Sequence, residues 1–165
     1  MSAAVEIKIE ITGLEGMLKA PDMRPILRSI TLAVGKLAQS KLSADPGPNA
    51  QPVTWQSEKQ RIHYVLMRKA AGLPLKYDRE TDPMSQQLEK SWLVENLGDT
   101  NAVVYTNVSY AKWVQSGAYQ QAMHFVTGWT TDELVKRDLE GSGEVDTAME
   151  QAVFQHYYET FGGWT

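Results

Sequence analysis

The residues best suited to metal binding or proton transfer in this sequence are three histidines, His63, His124 and His156. A metal enzyme or a hydrolase would need them to converge with carboxylates, because a bound metal takes several ligands and a proton shuttle needs a partner. No two of them have the spacing of metal ligands on one helix, and the sequence contains neither an HExxH motif nor an EF-hand loop. We therefore expect structural or surface histidines and no metal site.

The serine and glycine patterns also lack the context that catalysis or nucleotide binding requires. Ser142 lies between two glycines, but the strand and the longer glycine pattern of a nucleophile elbow do not precede it. A glycine-rich phosphate loop and a GxGxxG motif are both absent from the sequence. The sequence thus predicts no catalytic residue and no cofactor. One enzymatic alternative stays open, a small hydrolase or metal-dependent enzyme that uses His124 with a carboxylate such as Asp132.

Composition and charge argue against nucleic acid and membrane as partners of this chain. The chain has 165 residues, which suits a single domain over 1–165. Its 20 acidic and 16 basic residues give a formal charge of −4, and this argues against a general DNA-binding surface, which needs clustered Lys and Arg. The absence of cysteine suits a reducing cytoplasm, and no apolar segment approaches the length of a membrane span. We expect a soluble protein with no membrane partner.

The elements that would position any site begin with a β-hairpin over residues 88–108. Apolar and polar residues alternate along its two arms, a period of two that is typical of strands. Between the arms LGDTN predicts the turn, in which Gly98 can take a positive φ and Asp99 can bond the backbone. The same alternation predicts a half-buried strand at the N-terminus, over residues 5–11.

Other segments of the chain have apolar residues at helical spacing. The pattern covers residues 25–42, 57–71 and 145–161, with a turn or two of helix over 132–139. Ser57 or Thr54 could cap the start of the second helix, and Gly72 its end. The predicted fold class is α+β. We expect a small antiparallel or mixed sheet, made of the N-terminal strand and the 88–108 hairpin, flanked by two to three helices, with long loops.

Two segments, 43–55 and 117–131, are predicted to be exposed loops or arms. The first is rich in proline, and the second mixes amides with aromatic residues. Large amphipathic rings are enriched at protein interfaces, so partners could cover both segments. Trp92 and Trp113 are assigned to the core, and Trp129 to either the core or an interface. A monomeric module that binds a peptide or a sugar through the aromatic loop is a further alternative.

A series of short motifs runs through the hairpin region. Arg79, Leu88 and Ser91-Trp92 come first, and Val108-Ser109-Tyr110-Ala111, Val114-Gln115 and Gly117 follow. In this order the motifs resemble those of the neck and tail-completion proteins of long-tailed bacteriophages. A longer pattern, found in a subset of that family, is matched in order by Tyr77, Arg79, Thr81, Gln120 or Gln121, His124, Thr127, Gly128 and Trp129.

The resemblance implies a structural role in the virion. It implies a homo-oligomeric ring, a hexamer or a dodecamer, that joins the head connector to the tail tube after assembly in the host cytoplasm. The implied partners are further copies, adjacent adaptor or stopper proteins, and tail-terminator or tail-tube proteins. DNA would pass through the lumen without specific binding, which a net-acidic ring favours because like charges repel. The candidate interface residues are Trp55, Tyr77, Arg79, Tyr119, Gln121, His124, Trp129 and Trp164.

Overall fold

Three strands and a series of helices make up the computed structural model, which describes residues 5–12, 23–44, 55–75, 83–126 and 128–162. The α+β class is confirmed. In chain order the elements are β1 (Val5–Glu10), α1 (Arg24–Ser43), α2 (Glu58–Ala70), α3 (Pro83–Glu89), β2 (Leu93–Asn96), β3 (Asn101–Thr106), α4 (Ala111–Gln115), α5 (Ala122–Val126), α6 (Asp132–Gly141) and α7 (Glu144–Phe161).

The sheet is antiparallel, with β3 at its centre and the order β1-β3-β2. The β1 pairing runs from Val5 opposite Thr106 to Glu10 opposite Asn101. The period-two pattern of β1 therefore buries Val5 and Ile7 on one face of the sheet and leaves the charged residues between them exposed. The N-terminal strand and the hairpin form one sheet, as the sequence predicts.

Helix α1 lies across the buried face of this sheet. A proline opens the helix, where a missing N–H costs no hydrogen bond, and an apolar stripe follows at helical spacing. Gly35 faces the sheet, and a Cβ on it would lie 2.7 Å from Val94 Cγ1. A methyl group there would collide with the strand, so the glycine sets how closely helix and sheet approach. The buried residues of the stripe are Leu27, Ile30, Thr31, Val34, Gly35, Ala38 and Leu42.

The hairpin differs from the prediction at its start and at its turn. Leu88 was placed on a strand, but it is fully buried in the short helix α3, which begins at Pro83. Gly98 does not take a positive φ. Instead the Gly98 amide bonds to Asn96 Oδ1, and the Asp99 carboxylate accepts a 2.6 Å hydrogen bond from Arg28 Nε on α1. Local hydrogen bonds and this tertiary ion pair thus hold the turn without the positive φ that the sequence predicted at Gly98.

Helix α2 has the predicted start and stop, but it is largely exposed. The Ser57 hydroxyl accepts a hydrogen bond from the Gln60 amide at the N-terminus, and Gly72 takes a φ of +67° after the last turn. Arg68 is the one residue of this helix that is buried. Helix α2 therefore depends on its local caps, because it buries few side chains against the rest of the chain.

Of the two C-terminal helices, α7 packs along α1, whereas α6 contacts both α1 and strand β1 of the sheet. The Thr131 side chain caps α6 by accepting a hydrogen bond from the Leu134 amide, and Gly162 ends α7 in the left-handed conformation. Helix α7 lies along α1, where Lys41 Nζ approaches Glu144 Oε2 to 2.7 Å. No helix within the described ranges is long and apolar enough to cross a bilayer.

The described part of the 117–131 segment is largely exposed and partly helical. It contains the helix α5, and both Trp129 and Thr131 are buried beside it. The assignment of Trp113 to the core was wrong, because its ring is 41% exposed, whereas Trp92 is buried as predicted. Most of the 43–55 segment, residues 45–54, lies outside the described residues.

Candidate interaction surfaces

A large apolar cleft separates α2 from the body of the molecule. It has a volume of about 860 Å³, with α2 on one side and α3, α4 and α5 on the other. The rings of Trp55 and Tyr64 lie at the α2 side with centroids 4.9 Å apart. Other residues lining the cleft include Met67, Leu73, Met84, Leu88, Tyr110, Trp113, Val114 and Trp129.

Two polar side chains in the cleft wall are bonded to the protein itself. Arg68 Nε donates a 2.5 Å hydrogen bond to the Pro74 carbonyl, and its guanidinium lies 5.4 Å from the centre of the Tyr64 ring. The Tyr110 hydroxyl donates a 2.5 Å bond to the Met84 carbonyl. The cleft wall therefore suits an apolar or aromatic partner better than a charged substrate.

The structure brings four of the candidate interface residues together. Trp55, Gln121, His124 and Trp129 all line the cleft, although they are up to 74 positions apart in the sequence. Tyr119 lies outside the lining, with its ring edge-on to Trp113 at 6.2 Å. Tyr77, Arg79 and Trp164 fall outside the described residues.

Trp129 is the exception among these candidates. Its side chain is only 5% exposed, so its own chain already covers the ring and little remains for a partner. Gln120 explains this position, because its Nε2 donates to the carbonyls of both Val114 and Trp129, at 2.7 and 2.9 Å. Those bonds fold the segment back on itself and turn the indole inward. Of the two positions left open for Trp129, core and interface, the structure therefore places it in the core.

The two residues of the enzymatic alternative, His124 and Asp132, do not line one site. Asp132 Oδ1 accepts hydrogen bonds from the amides of Gly117 and Glu133, at 2.7 and 3.0 Å, which is a structural role at the start of α6. His124 lines the cleft and Asp132 does not. In the described ranges there is no group of three or more His, Asp or Glu residues able to hold a metal ion.

The motif residues in the hairpin region meet in a buried polar network. The Gln115 amide accepts a 3.1 Å bond from Trp92 Nε1 and donates a 2.7 Å bond to the Leu42 carbonyl. Ser91 Oγ lies 2.7 Å from Thr106 Oγ1, which ties the end of α3 to β3. Leu42 is in the last turn of α1, where carbonyls lack helical partners. These motif residues thus join α1, the sheet and α4, and none of their contacts requires a ligand.

Two exposed helix faces were not recognised from the sequence. One face of α2 carries Ile62, which does not line the cleft, and Leu66, which is 59% exposed and also lines it. The other, on α7, carries Phe154, 67% exposed, together with exposed Tyr157 and Tyr158. The available signal was the apolar run Val153-Phe154 and Tyr157-Tyr158, which wraps around α7 so that packing on α1 cannot bury all of it.

A short ion pair stabilises the first turn of α2. Arg61 Nε donates a 2.9 Å hydrogen bond to Glu58 Oε2, one turn away. This bond holds the pKa of the Glu58 carboxyl below its ordinary value of 4.5, and it raises the pKa of Arg61. Both side chains of this pair are exposed.

Comparison with protein-family models, with curated proteins and with solved structures found no match to this chain.

Proposed function

We propose that this chain is a structural protein of the head–tail connector, or neck, of a long-tailed bacteriophage. In this proposal, copies of the chain form a ring, a hexamer or a dodecamer, that joins the head connector to the tail tube. The motif resemblance supports it. Among the described motif residues, Ser91, Trp92 and Gln115 make hydrogen bonds that join elements of the α+β domain, a role that suits a structural protein.

The observation that carries the proposal is the amount of exposed apolar surface. Large apolar side chains on α2, α4, α5 and α7 lie open to solvent, and such surface on a small protein marks sites of protein–protein contact. A ring needs two different surfaces on each subunit, each complementary to the other. The exposed members are Ile62, Leu66, Met67, Trp113, Phe125, Val153, Phe154, Tyr157 and Tyr158.

The neighbours of the ring would be an adaptor or stopper protein, and a tail-terminator or tail-tube protein. The candidate residues that line the cleft, Trp55, Gln121 and His124, offer a second type of contact for such a neighbour. DNA would pass through the lumen without specific binding, in keeping with the formal charge of −4. The acidic residues would then face the lumen in larger number than the basic ones.

A gene-deletion experiment in a phage that encodes this chain tests the proposal directly. Loss of the protein should give filled heads and complete tails that remain unattached in electron micrographs, and a plasmid-borne copy should restore whole virions. Mass spectrometry should find the protein in purified virions. Whole, infectious virions that lack the protein would contradict the proposal.

The cleft favours one alternative, a monomeric binding module. Its volume of about 860 Å³ lies in the usual range of ligand sites, roughly 300–1,000 Å³, and its lining is chiefly apolar. Sedimentation and peptide titration separate the two functions. A stable monomer that binds an aromatic peptide in the cleft, with binding lost in Trp55→Ala and kept in the exposed-site control Gln56→Ala, would favour the module over the ring.

A further inference from the structure

Two exposed helices of this chain carry opposite charge. Helix α2 holds Lys59, Arg61, Arg68 and Lys69 against the single carboxylate of Glu58, a formal charge of +3. Helix α7 holds four carboxylates, at Glu144, Asp146, Glu150 and Glu159, and no Lys or Arg, a formal charge of −4.

On α2 the charge and the exposed apolar residues share one face. Lys59, Ile62, Leu66 and Lys69 follow one another at steps of three and four, which places them along one side of the helix. Ile62 is 49% exposed, and it does not line the cleft. This side of α2, called its outer face here, is thus an apolar strip with a lysine at each end, and its Leu66 also lines the cleft.

On α7 one side, called its outer face here, carries two carboxylates followed by two aromatic residues. Asp146, Glu150, Phe154 and Tyr157 again follow at steps of four, four and three. Glu144 is engaged by Lys41, and Lys36 of α1 lies in the shallow groove beside Glu150, so these two lysines offset part of the charge. Asp146 and Glu150 leave the N-terminal half of the outer face acidic, and the aromatic rings make its C-terminal half apolar.

These two faces fit each other better than either fits itself. An α2–α2 contact would bring lysines together, and an α7–α7 contact would bring carboxylates together, and both arrangements cost free energy. A contact of α2 with α7 buries apolar surface from both helices and pairs opposite charges. Because the two faces differ, such a contact is head-to-tail and adds further copies until the assembly closes.

We infer that the outer face of α2 in one copy of this chain packs against the outer face of α7 in the next copy. This inference rests on the self-assembly in the proposed function and assigns the two surfaces that make it. The partner is a second copy of the same chain.

Disulfide trapping tests the pairing, and the chain is suited to it because it contains no cysteine. Two exposed positions are used, in the variants Leu66→Cys and Phe154→Cys. Under mild oxidation an equimolar mixture should give covalent dimers of mixed composition, and a chain carrying both cysteines should give a ladder of higher oligomers. Each single variant alone should stay monomeric on a denaturing gel. Efficient self-linking of either single variant, or no link in the mixture, would overturn the inference.

Charge reversal tests the same contact without a covalent bond. The α2 variant is Lys59→Glu with Lys69→Glu, and the α7 variant is Asp146→Lys with Glu150→Lys. Each should raise the dissociation constant of the assembly on the order of tenfold at low salt, measured by sedimentation velocity, and all four changes in one chain should restore it. Lys136→Glu with Arg137→Glu on the exposed side of α6 is the matched control and should leave assembly unchanged.

The outcomes separate this inference from the proposed function. Rings that persist unchanged in both reversed variants, and in the four-change chain, would overturn the pairing of α2 with α7. The proposed function would still stand, since another surface would then close the ring. A gene deletion that leaves head–tail joining intact would overturn the proposed function, whereas a positive cross-link would still establish the contact.

Discussion

The indole of Trp92 donates a 3.1 Å hydrogen bond to the side-chain oxygen of Gln115, and both side chains are buried. The same amide donates to the Leu42 carbonyl at 2.7 Å. One side chain therefore satisfies a donor from the start of the hairpin and an acceptor from the end of α1. Satisfied networks of this kind hold separate elements in one arrangement, and they are costly to break.

Removing the Gln115 side-chain amide should lower the stability of the fold. We expect Gln115→Leu to lower the free energy of unfolding by about 2–4 kcal/mol, because it leaves two buried polar groups unpaired. Urea denaturation measures the loss, with the exposed Gln56→Leu as control, which should change stability by less than about 0.5 kcal/mol. If the two variants are equally stable, the network contributes nothing.

Gly35 should resist even a single methyl group. In Gly35→Ala the new Cβ meets Val94 Cγ1, so α1 must move away from the sheet, and we expect a loss of about 1–3 kcal/mol. Gly141→Ala is the matched control, because a Cβ there meets no atom within 4 Å and alanine favours a helix. Thermal unfolding should show a lower melting temperature for the first variant and an unchanged or higher one for the second. Combining Gly35→Ala with Val94→Ala should recover part of the loss.

The Arg28–Asp99 pair should act locally. Both Arg28 and Arg24 approach the Asp99 carboxylate, at 2.6 and 3.7 Å, from exposed positions. We expect Asp99→Asn to cost no more than about 1 kcal/mol overall and to speed amide exchange in the hairpin turn. Glu6→Gln, which removes an exposed pair on β1, should leave the turn unaffected. A global loss well above that limit, with turn exchange unchanged, would contradict a local role.

Two N-caps with the same chemistry should differ in their global effect. Thr131→Ala should lower the free energy of unfolding by about 1 kcal/mol, because the helix it caps carries buried Val135. Ser57→Ala caps a largely exposed helix, so it should increase amide exchange in α2 with a smaller change in global stability. Equal shifts in the urea midpoint would mean that α2 is as firmly docked as α6.

Acid should loosen the first turn of α2 before the rest of the fold. The pKa of Glu58 is depressed in the folded state by the hydrogen bond from Arg61. The stabilisation is therefore complete above the ordinary value of 4.5, and it is lost as the pH falls through the lowered pKa. Exchange or carbon chemical shifts in α2 between pH 6 and pH 3 measure this loss. Glu58→Gln should remove the pH dependence of the turn, and a dependence that persists would assign it to another group.

Local pattern was sufficient for most of the backbone. The alternation in β1, the stripe of α1 and the caps at Ser57 and Gly72 depend on neighbours within a few residues, and all of them were predicted correctly. Helix α3 was missed because it has seven residues, too few for a helical period to stand out from a strand. Gly98 was misread because the bond of its amide to the Asn96 side chain, together with the distant arginine on α1, holds that turn without a positive φ.

Burial of the aromatic residues could not be predicted in the same way. Trp113 and Trp129 were ranked by the polarity of their surroundings, and the structure reverses the ranking. Gln120 fixes the position of Trp129 through two hydrogen bonds to backbone carbonyls. The amino-acid composition of the segment does not predict these bonds. The cleft likewise exists only because α2 lies apart from α4, so its residues could be named individually but not as one site.

The pairing of Val5 with Thr106 also sets the order of events during synthesis. Strand β1 leaves the ribosome first, yet its partner follows about a hundred residues later, and closing so large a loop is slow. The β2–β3 hairpin closes over only a few residues, so it can form early and act as the template. Strand β1 would then be the last of the three strands to join the sheet. A nascent chain arrested before residue 106 should keep that strand open to proteolysis.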